Sequence, residues 1–170
     1  MMNNTALDPQ VQDALAKYDM KHEVIECDPK LADTAAFCEH YGFSISQAAN
    51  TIVVMSRKVE PTKYAVCVVL GTHKLDVNKS VCKEMSVKRA SFADAETTTR
   101  LSKMMIGGVT AIGIEGIPIY VDSAVMAQEK VIMGGGNRST KVLLAPSELT
   151  KIPTVVVVQD LAKPKNDEQS

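Results

Sequence analysis

Two runs dominate the hydrophobic pattern: Thr51-Ile-Val-Val-Met55 and Tyr64-Ala-Val-Cys-Val-Val-Leu70, both nearly continuous, apolar and rich in β-branched residues. Such runs predict strands buried on both faces, so helices should cover their sheet. Arg57, Lys58, Glu60 and Pro61 between them suit a loop or hairpin. Upstream, Asp8-Pro9 supplies an N-cap and a proline at the first helical position. Val11, Ala14, Leu15 and Tyr18 follow at helical spacing and form one apolar stripe. His22 to Cys27 reads as a short strand closed by Asp28-Pro29, and Asp33 to Tyr41 as a helix with Gly42 at its C-cap. Ser44 or Ser46 can cap a further short turn.

Asp76 can cap a helix carrying Val77, Val81 and Met85, and Asp94 another that ends near Lys103. The stretch from Met104 to Asp122 joins an apolar lead-in, the pair Gly107-Gly108, a lone hydroxyl at Thr110 and two short β-rich runs. Beyond it come a short helix around Ser123 to Gln128, a strand from Lys130 to Met133, Gly134-Gly-Gly136 and a strand from Thr140 to Leu144. A Pro146-initiated turn and a strand from Thr154 to Val158 complete the body. Many short strands mixed irregularly with helices favour α+β over regular βαβ alternation. The 170 residues imply one domain with a single core over residues 1–162. The polar residues 163–170 are expected to be a disordered tail.

Composition adds little to that pattern. Hydrophobic residues at 45% and charged ones at 23% are ordinary for a soluble globular chain. No apolar run approaches the roughly 18 residues of a membrane span, and the N-terminus lacks a signal-peptide core. A cytoplasmic protein with no membrane partner is therefore expected. Cys27, Cys38, Cys67 and Cys82 are widely spaced without a C-x-x-C pair, which suits reduced, mostly buried thiols better than a zinc site or disulfides. The three isolated histidines form no ligand cluster, and neither metal nor cofactor is expected.

Charge is uneven. Arg57 to Lys103 holds ten Lys/Arg against five Asp/Glu, and the rest of the chain nine against fifteen. A basic middle can be an electrostatic footprint for a polyanion or simply a set of solvated helix faces. Standard catalytic signatures are missing: there is no G-x-S-x-G, no H-E-x-x-H and no G-x-x-x-x-G-K-[ST]. His73 as a lone base, and Thr97, Thr98 and Thr99, are read as surface residues. Gly134-Gly-Gly136 with Asn137 and Arg138 can form a backbone nest with a guanidinium poised for phosphate, or a tight hairpin. Gly107 and Gly108 allow the backbone to approach a ligand closely, with Thr110 at a pocket mouth, or else mark a bulge between strands.

The order of these pieces resembles the YbaK/ProX family, aminoacyl-tRNA deacylases related to the editing domain of prolyl-tRNA synthetase. The resemblance covers roughly Asp8 to Ala162. It is carried by Asp28-Pro29, Thr51-Ile-Val-Val, Lys74-Leu-Asp76, Arg100, Gly107-Gly-Val-Thr-Ala-Ile-Gly113 and Gly135-Gly-Asn-Arg138 before Val142-Leu-Leu. It implies a single compact α+β domain around a mixed, partly barrel-like sheet. The implied activity is hydrolysis of the ester joining a wrong amino acid to the tRNA 3′ end, without a cofactor. That ester is activated by the adjacent ammonium, so positioning and backbone donors can carry the rate without a triad. Gly107, Gly108 and Thr110 are then expected to form the carbonyl pocket. Asn50 and Thr51 should line the substrate side, and Asn137 and Arg138 should lie toward phosphate.

The chain also departs from the family pattern. Asn50 stands where the family usually has lysine before the strand threonine, which predicts weaker or altered substrate binding. Thr110-Ala111 replaces the usual Ser-Pro, Gly136-Asn-Arg-Ser139 replaces Gly-Lys-Arg-Gly, and Lys141 stands where an acidic residue is common. The alternatives are a non-catalytic module that binds the tRNA end or an aminoacyl ligand, and a small-molecule or partner-binding protein that keeps only the fold.

Overall fold

A computed structural model describes residues 7–165, so the last five positions of the expected tail lie outside the described residues. The chain opens with α1 (Pro9–Lys17), capped by the Asp8 carboxylate, which accepts a hydrogen bond from the Gln10 amide at 2.8 Å. Val11, Ala14 and Leu15 are its buried stripe, as the spacing predicts. β1 (Glu23–Glu26) and α2 (Thr34–Tyr41) follow, and α2 ends at Gly42 with φ 80°. Next come β2 (Ala49–Ser56), β3 (Tyr64–Leu70) and β4 (His73–Leu75). The helix expected after Asp76 is split into a π-helical turn, Val77–Val81, and α3 (Cys82–Met85). β5 (Ala90–Phe92), α4 (Ala95–Ser102), β6 (Ile119–Asp122) and α5 (Ser123–Met126) lead to β7 (Val131–Gly134). β8 (Thr140–Leu144), β9 (Val155–Val158) and β10 (Ala162–Pro164) close the fold.

The central sheet runs β5-β2-β3-β6-β9. It is mixed: β2 pairs antiparallel with β3 and β5, while β6 lies parallel to both β3 and β9. Strict alternation along β3 sends Val66, Val68 and Leu70 into the main core and Ala65, Cys67 and Val69 into a second core behind the sheet. Both faces are therefore buried, but strands do much of the covering that was expected of helices. An antiparallel sheet, β1-β8-β7, joins the central one through a bridge between Ala48 and Ile132, giving the partly closed outline. A two-stranded sheet, β10-β4, covers the other side. Lys163 and Pro164, expected in the disordered tail, pair in it with Lys74 and His73. The stretch from Met104 to Asp122 is turns and loop as far as Pro118, and of its two β-rich runs only Ile119–Asp122 is a strand.

Residues around Cys27, Phe37, Cys38 and Ile132 form a third, smaller core, where Phe37 stacks between Tyr41 at 4.7 Å and Phe43 at 5.5 Å. All four cysteines are free and buried. Burial pushes the Cys67 thiol up to about 12, which makes it a poor nucleophile.

Asp122, at the end of β6, is 1% exposed; one carboxylate oxygen accepts from the Ala162 amide at 3.3 Å and the other has no partner among the described residues. Burial raises its pKa above the ordinary 3.8, outweighing the opposing pull of that amide and of His73. A carboxyl raised in the folded state contributes stability that is complete below pH 3.8 and is lost as pH rises through the raised value. Asp122→Asn is expected to remove that slope and to leave the protein at least as stable as the parent at neutral pH. Urea unfolding at a series of pH values checks it.

Candidate active site

A cavity of about 410 Å3 opens between β2, the turn after α4 and the start of β8. β2 lends it Asn50 and Thr51, the turn lends Ile106, Gly107 and Val109, and β8 lends Lys141. Register explains how these distant residues meet. β2 lies beside β3 in the central sheet, and the bridge from Ala48 to Ile132 brings its start against β7. β7 in turn pairs Gly134 with Lys141 of β8.

Each wall is tied in place by hydrogen bonds. The Thr51 hydroxyl accepts from the Ala111 amide at 3.1 Å, fastening the glycine loop to β2. The Thr34 hydroxyl donates to the Asn50 side-chain carbonyl at 2.8 Å. Among the described residues the Asn50 amide NH2 makes no hydrogen bond, so it can donate into the cavity. The Gly107 and Val109 amides also make none within the described residues, and both residues line the hollow. Donors of this kind, left unpaired in a turn that lines a cavity, suit an acyl oxygen that gains charge.

Lys141 supplies the charge. Alternation along β8 sends Thr140, Val142 and Leu144 toward the main core and Lys141 to the opposite face. Only 9% exposed, its ammonium donates to the Ala32 carbonyl at 2.6 Å and lies 5.4 Å from the Phe37 ring centroid. Burial lowers its pKa below the ordinary 10.5, and the neighbouring Arg138 adds to the effect. No carboxylate forms an ion pair with Lys141 among the described residues; nearby Asp33 is bridged to Arg138 at 3.5 Å. A buried ammonium with one protein acceptor keeps two donors for a ligand.

The residues expected in the site divide. Asn50, Thr51 and Gly107 line the cavity, whereas Gly108, Thr110, Asn137 and Arg138 are not among its lining residues. Thr110 is fully buried and its hydroxyl accepts from the Ile112 amide at 3.4 Å; the threonines that line the cavity are Thr34, Thr51 and Thr98. Gly108 spends its amide on the Met105 carbonyl at 2.9 Å and packs against the Asn137 backbone. The Asn137 side-chain oxygen accepts from the Ser139 amide at 3.1 Å and from the Thr140 hydroxyl at 2.7 Å, which sets the turn into β8.

Arg138 is likewise committed. Its guanidinium donates twice to the Pro29 carbonyl, at 3.1 and 2.9 Å, and once to Ile106 at 3.3 Å. It therefore clamps the Pro29 loop to the turn at Gly107, where φ is +93° and a Cβ would run into the guanidinium. These bonds give the guanidinium, expected from the sequence to lie toward phosphate, a positioning role between the two loops.

The sequence pattern did not single out Lys141 or Thr34 as site residues. A signal for Lys141 was present, since Thr140 to Leu144 reads as a buried strand and a lysine inside one is costly unless it meets a partner. Thr34 carried no such signal. No group of three or more His, Cys, Asp or Glu among the described residues could hold a metal ion, and no helix there is long and apolar enough to cross a membrane.

The fold has counterparts among solved structures. One described as hypothetical protein APE2540 superposes with a TM-score of 0.80 at 21% identity, covering 91% of this chain and 99% of that one. A proposed trans-editing enzyme for prolyl tRNA synthetase superposes with a TM-score of 0.77 at 21% identity, covering 94% of this chain and all (100%) of that one. At such identities the likeness establishes the architecture: an α+β domain with a mixed sheet. Residues 28–152, which contain every element of the cavity, match the family described as the aminoacyl-tRNA editing domain. On the strength of that match, the chain belongs to the aminoacyl-tRNA editing domain family.

Proposed function

We propose that the protein hydrolyses the ester of mischarged aminoacyl-tRNA in trans. The observation that carries this reading is a single cavity in which the Lys141 ammonium, the Asn50 amide and the unpaired Gly107 and Val109 amides come together. Family membership supports it. In the proposed reaction, water adds to the ester carbonyl, whose oxygen takes up negative charge beside the loop amides and Lys141. Collapse breaks the bond to the ribose oxygen, which leaves with a proton as the tRNA terminal hydroxyl. The amino acid leaves as its carboxylate, and the second proton of the water passes to solvent. Preorganised donors of this type contribute on the order of 10²–10³ in rate each. The vicinal ribose hydroxyl is suited to orient the water, so no protein base is required.

Incubating the protein with a panel of mischarged tRNAs and following ester loss tests the reading. Acceleration for at least one amino acid is expected; none, with folded protein, overturns it. One observation favours a second reading, binding without turnover. Among the described residues Asp33 is the only carboxylate at the cavity, and it is held by Arg138, leaving no free base there. Salt-sensitive tRNA binding without ester loss would select that alternative.

Asn50→Lys now has a different expected outcome. From the sequence, restoring a lysine there should raise activity if the missing charge is what limits binding. With the Lys141 ammonium already at the cavity, a second cation repels the first and displaces the Thr34–Asn50 hydrogen bond. A fall in kcat/KM of roughly tenfold is expected in the same assay, in line with the loss of about one hydrogen bond to a charged or polar group.

A further inference from the structure

On the far side of Phe92 from the cavity lies a groove of about 770 Å3, formed between β5 and the β4-β10 sheet. Its charge is one-sided: Lys74, Lys163 and Lys165 line it against Asp76 alone. The Asp76 carboxylate is occupied in capping, accepting from the Lys79 amide and from the Ser80 hydroxyl, each at 3.2 Å. Lys163 and Lys74 are direct cross-strand partners in the antiparallel β4-β10 pair. Like charges in directly opposite positions share a face and repel, a cost that a bound anion would remove. Lys165 continues the row two residues on, its amide donating to the Thr72 carbonyl at 3.0 Å. None of the three lysines forms an ion pair among the described residues. Phe92 is 57% exposed and lines both the groove and the cavity, so the two hollows meet at its ring.

We infer that this groove is the track for the phosphodiester backbone leading to the esterified 3′ end, with Phe92 as a stacking platform between backbone and cavity. The inference rests on the proposed function for its choice of RNA. A row of ammonium groups ending at an exposed aromatic ring is the combination that holds single-stranded nucleic acid, by counterion release and by base stacking. Of the ten Lys/Arg between Arg57 and Lys103 the groove uses only Lys74. Its cations come from Lys74 on one side and from Lys163 and Lys165, far along the chain, on the other.

The test uses the full chain and deacylated tRNA, so that binding is read independently of ester hydrolysis. Binding is titrated against salt for the parent, for Lys74→Ala/Lys163→Ala/Lys165→Ala, for Phe92→Ala, and for a control lacking Lys17, Lys21 and Lys151. Removing one lysine–phosphate interaction with a single strand lowers the slope of log K against log salt by about 0.7, so the triple variant is expected to drop by about two units of slope. Phe92→Ala is expected to bind roughly tenfold more weakly, as for the removal of one base-stacking ring. The control should keep the parental slope. An unchanged slope in the triple variant, an equal drop in the control, or no binding by the parent overturns the inference. Circular dichroism of each variant separates these outcomes from misfolding. Ester loss by the parent protein is scored separately and reports only on the proposed activity.

Discussion

Lys141→Met is expected to lower kcat/KM for aminoacyl-ester hydrolysis by about two orders of magnitude while leaving stability unchanged or higher. The two halves of that outcome have one cause. A cation buried among Phe37, Cys27 and Cys38 has given up hydration and receives one protein acceptor, the Ala32 carbonyl, in return. Replacing a buried charge with an apolar side chain of similar volume is commonly neutral or stabilising by about 1–4 kcal/mol. Against this stands the loss of one charged donor to a developing oxyanion, worth roughly 10²–10³ in rate. The linkage has a definite sign: a lysine whose folded pKa is lowered penalises the fold while charged, and the penalty fades as pH rises through the lowered value toward 10.5. The stability difference between parent and variant should therefore shrink at alkaline pH. Parental activity should decline over the same range as the ammonium loses its proton. Urea unfolding and ester hydrolysis measured against pH check both. A large loss of stability without a selective loss of activity would make Lys141 a structural residue.

Gly108→Ala has the larger expected effect on the fold. A Cβ there would collide with the Asn137 backbone carbonyl, an atom that no side-chain rotamer can move aside. The neighbouring Gly136 amide also donates to the Gly108 carbonyl at 2.7 Å, so the glycine loop and the turn before β8 are locked together. Overpacking of this kind costs about 3 kcal/mol or more, which for a chain of this size lowers Tm by roughly 10 °C. Separating the two loops moves Gly107 and the Arg138 clamp, so activity should fall even where the protein remains folded. Gly42→Ala is the control. Gly42, unlike Gly108, has positive φ, yet nothing lies within 4 Å of its would-be Cβ, and a cost of only about 1 kcal/mol is expected. Thermal melts of the two variants compared side by side decide the point, and equal losses would contradict it.

Several parts of this protein were legible in its pattern of residues. Continuous apolar runs identified β2 and β3, and their burial on both faces followed from the same pattern. Asp8-Pro9 and Gly42 marked helix ends because capping is local chemistry. The short strands β4, β5 and β10 were not legible, since each has only three residues and is held by its partner, not by its own composition. Lys163 and Lys165 read as tail for that reason.

At the candidate site, Gly107 and Thr51 line the cavity, and both carried a signal because glycine and a strand threonine favour backbone approach and hydrogen bonding. That Thr110 is buried and that Arg138 bonds to the Pro29 and Ile106 carbonyls was not legible, since sequence distance does not report which way a loop residue faces.

By itself, then, the sequence determined the α+β class, the two central strands, the helix caps and the glycine turn, all of which depend on contacts within a few residues. Only the tertiary structure decided that the charge at the cavity comes from Lys141 instead of position 50, and that Arg138 is a clamp. It also decided that lysines from distant segments share one groove. The reason is strand pairing: the register of β8 against β7, and of β10 against β4, sets which side chains meet, and register is a property of partners far apart in the chain.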